Sequence, residues 1–398
     1  MTTSGHKRKE GTESIRCYEL DWLRVIAVLV LVFFHSSEIF TKGWFHIKND
    51  ETSRIFDSLS SFIYIWHMPL FFLVAGASTW FALEFRSGKE YVEERIYRLL
   101  FPLIFGILLL IPPQSYYENV QKINFSGTFL EYYPHFYEGI YPKGNLHWGH
   151  LWFLFYLFIF SLVPLKLFLE LKSDDRKKYI SKFANRFSKG HSIFLLAIPL
   201  AAIEIPLRWL FPGFQTFVTD WANVFHYLLI FIYGFLLYSD QRFKRAISTN
   251  MKLSVAIAIP LSIGYIIIIP LSESAFNGFM ANPTSSYLLN HPETVLYYIF
   301  MMVFKTFGEW CWLIALLGYS TKYLSGRKKI IRYPSGIAYP FYIFHQTVLI
   351  TIGFYIVQFH ASIWLKYFII CISTIALTYL CCELAKSNRI SRFIIGMK

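Results

Sequence analysis

The stretch Leu20–Phe40, LDWLRVIAVLVLVFFHSSEIF, decides the fold. A helix of this length, rising about 1.5 Å per residue, crosses the roughly 30 Å hydrocarbon core of a bilayer. Arg24 stands near one end and His35 well inside. Eleven positions separate them, about three helical turns, so both side chains share one stripe roughly 16 Å apart. Ionisable groups within a membrane helix are costly and mark functional positions by default. Two on one face make this helix the expected seat of the chemistry.

Composition extends that reading to the whole chain. The protein is 55% hydrophobic and 20% aromatic with only 16% charged residues, and apolar runs recur along its length. That balance excludes an ordinary soluble domain and predicts an all-α polytopic integral membrane protein. The net charge of +13 does not imply nucleic acid, because the basic residues lie in short loops between spans. The amino end, MTTSGHKRKEGTESIRCYEL, has no short apolar core or cleavage site ahead of the first span, and is read as retained. Cys17, Cys311, Cys371, Cys381 and Cys382 show neither metal-ligand nor disulfide spacing and read as small apolar fillers. No metal and no permanently bound cofactor is expected.

Ten spans follow, at roughly 20–40, 56–84, 98–114, 147–170, 191–211, 221–239, 252–271, 293–321, 335–358 and 361–386. The connecting segments alternate sharply: 28 Lys and Arg fall on one side and 5 on the other, the remaining five lying within spans. The positive-inside rule then puts both termini in the cytoplasm. The expected organisation is a cytoplasmic amino tail (1–19), a single ten-helix membrane domain (20–386) and a cytoplasmic carboxyl tail (387–398). The outer segment 115–146 is rich in Tyr, Phe, Pro and Gly and takes in most of FLEYYPHFYEGIYPKGNLHWGH, which runs on to His150. It reads either as an interfacial aromatic segment, re-entrant or lying flat, or as a sugar-stacking platform. The basic inner segment KSDDRKKYISKFANRFSKG carries no assigned chemistry.

With the direction fixed, depth can be compared. Arg24 lies about one turn from the cytoplasmic end, and His35 past the midplane. Lys305 and Glu309 on span eight and His345 on span nine fall near mid-depth. Such groups turn toward the bundle interior. Lys305 and Glu309 also fit an intrahelical ion pair, and His345 fits a core histidine bonded to a carbonyl. Arg95 and Arg98, three apart at the start of span three, stand at the depth of Arg24. Paired guanidinium forks match phosphate geometry, although anchoring at the membrane face also accounts for single arginines there.

These residues carry a family resemblance. LDWLRVIAVLVLVFFH resembles the first helix of the acyltransferase-3 family of membrane O-acyltransferases, marked by Arg, ten residues, then His. Arg95-Ile-Tyr-Arg98 resembles that family's Arg-x-x-Arg. MPLFFLVAGAST resembles its second helix, with Ala75-Gly76 where Ser-Gly is usual. HLWFLFYLFIFSL and AYPFYIFHQTVL are similar to further family segments, so the resemblance covers about residues 18 to 385. Within the family, Trp44 with His46-Ile47-Lys48, RLLFPLIFGILLLIPPQSYYENV and HLWFLFYL resemble the branch named for glucan biosynthesis protein C, associated with succinylating osmoregulated periplasmic glucans.

The resemblance implies an acyl-CoA-dependent O-acyltransferase of the bacterial inner membrane, with succinyl-CoA the favoured co-substrate and a periplasmic glucan the favoured acceptor. Arg24, Arg95 and Arg98 would bind the donor. His35 would act as general base, with Glu309 or His345 as its partner. Trp44, His46, Gln114, His150 and Trp152 would lie on the acceptor side. Membrane lipids are expected neighbours, nucleic acid is not, and homo-oligomerisation is left open. Two alternatives stand beside this one. The first is an O-acetyltransferase of another surface polysaccharide. The second is a proton-coupled glycan transporter or flippase using the buried His, Glu and Lys groups.

Overall fold

Stretches of about 20 apolar residues have one low-energy option in a bilayer, because only a helix satisfies its own backbone hydrogen bonds there. The computed structural model describes residues 17–141, 143–281, 292–326 and 328–397. In chain order its helices are α1 (Tyr18–Glu38), α2 (Arg54–Phe85), α3 (Gly88–Lys122), α4 (Phe129–His135), α5 (Gly149–Leu162), α6 (Leu165–Lys172) and α7 (Lys177–Phe187). There follow α8 (Ser192–Leu210), α9 (Trp221–Ser239), α10 (Gln241–Ala281), α11 (Pro292–Tyr323), α12 (Lys328–Ile356), α13 (Ile363–Ser387) and α14 (Arg389–Ile394). Among the described residues nine helices are long and apolar enough to span, and α5 with α6, bent by 47°, makes a tenth. The expected all-α polytopic fold of about ten spans is the observed one.

Three boundaries differ from expectation for identifiable reasons. Helix α3 continues to Lys122, well beyond 114, so the outer segment begins as helix. It continues because Pro112 and Pro113 fall at the start of a new helical section, where proline needs no N–H partner. The carboxyl end is not a tail: α14 packs Phe393 against Tyr97 and Phe101 of α3, with ring centroids 6.1 and 5.4 Å apart. Finally, α10 starts at Gln241 rather than near 252. Residues 1–16 of the expected amino tail lie outside the described residues, and Glu19 already belongs to α1.

The prolines of α3 organise their surroundings. A helical proline leaves the carbonyl four residues earlier without its N–H donor. Pro102 does this to Arg98, whose carbonyl accepts a hydrogen bond from the Tyr339 hydroxyl of α12 instead. Pro112 does it to Leu108, whose carbonyl accepts from Tyr133 at 3.0 Å and Tyr137 at 3.2 Å. Just before Pro102, residues Ile96–Leu100 form a single π-turn, a feature often found at functional positions.

The glycine of the Ala75-Gly76 pair has a structural account. A Cβ on Gly76 would lie 1.9 Å from the Phe231 carbonyl oxygen, and one on Gly234 would lie 2.1 Å from that of Leu73. Helices α2 and α9 therefore cross at backbone contact, as small residues allow in membranes. A serine hydroxyl is nonetheless at hand three residues on, where Ser78 Oγ accepts from Arg24 at 3.0 Å.

Candidate active site

A cavity of about 860 Å³ opens at the carboxyl-terminal end of α1. Its floor carries His35, His67, His150 and Tyr342, and its outer walls come from residues 44–46, 115–148 and 213–219. His35 Nδ1 lies 3.1 Å from His345 Nε2, the two rings stacked with centroids 5.2 Å apart. His345 Nδ1 lies 2.6 Å from the Tyr342 carbonyl oxygen.

The tautomers follow from these partners. A carbonyl only accepts, so His345 Nδ1 carries the proton and its Nε2 keeps the lone pair. His35 Nδ1–H must then donate to His345. That leaves a lone pair on His35 Nε2, which makes no hydrogen bond among the described residues. The other floor histidines are fixed differently. His67 Nε2–H donates to Ala27 O at 2.7 Å, and His150 Nε2–H to Ile343 O at 3.0 Å. Among the described residues no three His, Cys, Asp or Glu side chains converge as metal ligands, since these rings are already committed to protein carbonyls or to one another.

The predicted acceptor-side residues separate into two groups. Trp44, 68% exposed, stands at the rim with Lys122 Nζ 4.4 Å from its ring centroid. His46 Nδ1–H donates to Glu118 at 2.7 Å, and both residues line the cavity, as do His150 and Trp152. Gln114 does not line it. Its Nε2 lies 2.8 Å from Thr347 Oγ1, 3.1 Å from Leu110 O and 3.3 Å from His150 Nδ1, two N–H groups shared among three acceptors, so it sits behind His150.

The outer segment supplies Tyr132, Tyr141 and Asn145 to the wall, and His147 follows directly after it. His147 Nδ1 accepts from Gly149 N at 3.0 Å, so its Nε2–H donates to Ser115 Oγ at 2.9 Å. Burial pulls its pKa down to about 4, which keeps the ring neutral. Sequence reasoning passed over His67 and His147, and also the uncharged loop 213–219. That loop holds Gln215 and Phe217 at φ of 60° and 63°, a left-handed conformation costly for non-glycine residues. Asp220 Oδ2 bonding Gln215 N at 2.7 Å, and Tyr156 OH accepting from Phe217 N at 3.0 Å, hold it there.

At the other end of α1, Arg24 bonds Asp21 at 2.8 Å as well as Ser78. Glu94 serves three guanidinium groups, with Arg86 at 3.1 Å, Arg95 at 3.3 Å and Arg98 at 3.5 Å. Arg95 also stacks on Tyr91 at 4.8 Å, and its buried Nε has no hydrogen-bond partner among the described residues. One carboxylate facing three cations leaves the patch positive.

The structure takes Glu309 away from His35. Its carboxylate accepts from His226 Nε2 at 2.8 Å. Lys305 bonds Glu204 at 2.6 Å, and Arg208 bonds the same carboxylate at 2.9 Å. Neither residue of α11 pairs with the other as an intrahelical bridge. They belong to a buried ionic cluster joining α8, α9 and α11, with Arg208 also bonding Asn223 at 2.5 Å. The reason is that α8 supplies a fully buried glutamate, Glu204, and an unpaired charge there would be far costlier than any intrahelical option. Beside His35 stands His345.

The comparison with known proteins decides the family, because the profile of the acyltransferase-3 domain (described as "Acyltransferase domain") matches residues 18–383. The chain belongs to the acyltransferase-3 family. Its curated relatives include "Glucans biosynthesis protein C" of Escherichia coli O81 (strain ED1a), 25% identical over 264 residues, 63% of this chain and 66% of the relative. The protein of the same name from Escherichia coli (strain K12) is 26% identical over 249 residues, 60% of this chain and 62% of that one. The match thus spans slightly less than two thirds of these relatives' length. No solved structure matches. The chain is a multi-pass membrane protein of that family.

Proposed function

We propose that this acyltransferase moves an acyl group, succinyl in the favoured case, from cytoplasmic acyl-CoA to a hydroxyl of a periplasmic or surface glycan. The observation that carries the reading is the hydrogen-bonded series His35–His345–Tyr342, which leaves His35 Nε2 as a free base on the cavity floor. The positive-inside distribution of Lys and Arg supports placing both termini, and the Arg24 end of α1, in the cytoplasm of the inner membrane. The name of the relatives supports the glucan as acceptor.

In the proposed reaction the glycan hydroxyl oxygen attacks the thioester carbonyl carbon while His35 Nε2 takes its proton. The C–S bond then breaks, and the departing thiolate recovers that proton from His35. The imidazolium formed in between is stabilised because its Nδ1–H points at the His345 lone pair. The His345 Nδ1–H is in turn anchored on a carbonyl, as a third group orients the base in other acyl-transfer sites. Arg24, Arg95 and Arg98 attract the donor phosphates. Trp44, His46, His150 and Trp152 border the space for the acceptor, whose sugar faces suit the exposed Trp44 ring.

Purified protein in nanodiscs given radiolabelled succinyl-CoA, acetyl-CoA and glucan tests the reading. Label transferred to the glucan supports it, and preference between donors identifies the acyl group. Glucan crossing vesicle membranes without acylation would favour the transporter alternative. Two substitutions separate the substrates. Arg98→Ala is expected to raise the KM for acyl-CoA by about tenfold or more, the worth of a charged hydrogen bond to phosphate. Trp44→Ala is expected to raise the acceptor KM by roughly fivefold, about 1 kcal/mol of aromatic stacking. Steady-state kinetics with each substrate varied in turn would read both.

A further inference from the structure

A second cavity, about 630 Å³, lies where the π-turn of α3 meets the first turns of α12 and the turn after α14. Among the described residues four basic side chains border it (Arg98, Lys329, Arg332 and Lys386) and no acidic one does. Lys386 is oriented by Glu383 at 2.5 Å and lies over the Tyr333 ring at 4.3 Å. Arg98 faces Glu94 only at 3.5 Å, and that carboxylate is shared with two further arginines.

The walls are built rather than accidental. The Arg98 carbonyl freed by Pro102 is tied to Tyr339, itself a lining residue. Gly396 closes the far side at φ 66°, so near that a Cβ would lie 3.0 Å from Pro102 and Tyr339 and 3.1 Å from the Arg98 carbonyl oxygen. Only glycine fits both that conformation and that contact. Charge of one sign focused in a concave, partly apolar wall concentrates anions, and guanidinium with ammonium groups is the combination that recognises phosphate.

We infer that this pocket binds a phosphate-ester group, carried either by the nucleotide part of a coenzyme A thioester or by an anionic phospholipid headgroup. The inference rests on the acyl-CoA reading only for the first of these sources. Residues Lys329, Arg332 and Lys386 thereby join Arg98 in one cationic pocket.

Gly336 gives the sharpest test. It lines the pocket, and a Cβ there meets nothing within 4 Å. Gly336→Glu therefore has open space for its Cβ and brings a carboxylate to the pocket lining. The Lys329→Gln/Arg332→Gln pair removes two cations at exposed positions. Adenosine 3′,5′-bisphosphate is titrated into the protein in neutral-lipid nanodiscs, and retained phosphatidylglycerol is counted by native mass spectrometry. A tenfold or greater loss of bisphosphate affinity in both variants assigns the pocket to the nucleotide source. Loss of retained phosphatidylglycerol with unchanged bisphosphate affinity assigns it to the lipid.

Wild-type values on both arms overturn the proposal while leaving the acyl-CoA reading intact, provided labelled acyl transfer persists. Absence of transfer in the wild-type protein would overturn that reading instead. Should either variant fail to fold, amine labelling of the wild-type protein decides. Protection of Lys329 and Lys386 by the bisphosphate or by phosphatidylglycerol supports the site, and equal labelling with and without both overturns it.

Discussion

Replacing His35 with alanine is expected to lower acyl transfer by about 10²- to 10⁴-fold, the range that general acid–base catalysis supplies. The loss should fall on kcat, because in the proposed reaction His35 handles the proton in flight rather than either substrate's binding groups. His345→Ala should cost less, on the order of tenfold to a hundredfold. It leaves the base in place but removes the acceptor of its Nδ1–H, so the ring loses its fixed tautomer and its stabilised cation. The informative measurement is the double variant. Groups that act as one unit are non-additive, so His35→Ala/His345→Ala should be no slower than His35→Ala alone. Purified variants with unchanged elution profiles, assayed with labelled acyl-CoA, would check all three. Multiplying losses would dismantle the proposed proton series, and undiminished transfer by His35→Ala would remove the base altogether.

The second large effect is on stability. Lys305→Met should destabilise the protein by about 3–5 kcal/mol, because it strips one of the cations from a fully buried carboxylate. Glu204 keeps Arg208 at 2.9 Å, which places the expected value toward the lower end. The damage should spread to the cavity rim. Arg208 bonds Asn223, Asn223 bonds Asp220 at 2.7 Å, and Asp220 holds Gln215 in the wall. Equilibrium unfolding in mixed detergent micelles would measure the loss. Surviving folded protein should keep kcat within a few fold, since no member of the cluster touches His35. A stable but inactive Lys305→Met protein would instead indicate that the cluster carries protons.

The sequence announced the helical bundle clearly because each span meets the bilayer alone, and length with hydropathy is all that insertion requires. The Arg24–His35 stripe was legible for the same reason, since both residues sit on one helix at fixed spacing. Pairings between helices were not. Glu309 and His345 look equivalent on paper, each an ionisable residue near mid-depth. What separates them is Glu204 and His226 on two other helices, and no local pattern in α11 points to those partners. His67 and His147 went unnoticed because a lone histidine beside aromatics has no period. The closing of the basic pocket by Gly396 was equally hidden, since a short terminal segment after Asn388 reads as a tail until Phe393 is seen against Tyr97.

Two prolines of α3 free a carbonyl that a hydroxyl from elsewhere in the chain satisfies, Pro102 with Tyr339 and Pro112 with Tyr133 and Tyr137. Neither half of such a match has value by itself. A lineage that replaced Pro102 with an ordinary residue would restore the local amide bond and release Tyr339 to drift. One that lost Tyr339 first would leave a bare carbonyl inside the bundle. Inheritance should therefore treat proline and tyrosine as a single character, gained or discarded together, 237 positions apart in the numbering yet one unit under selection.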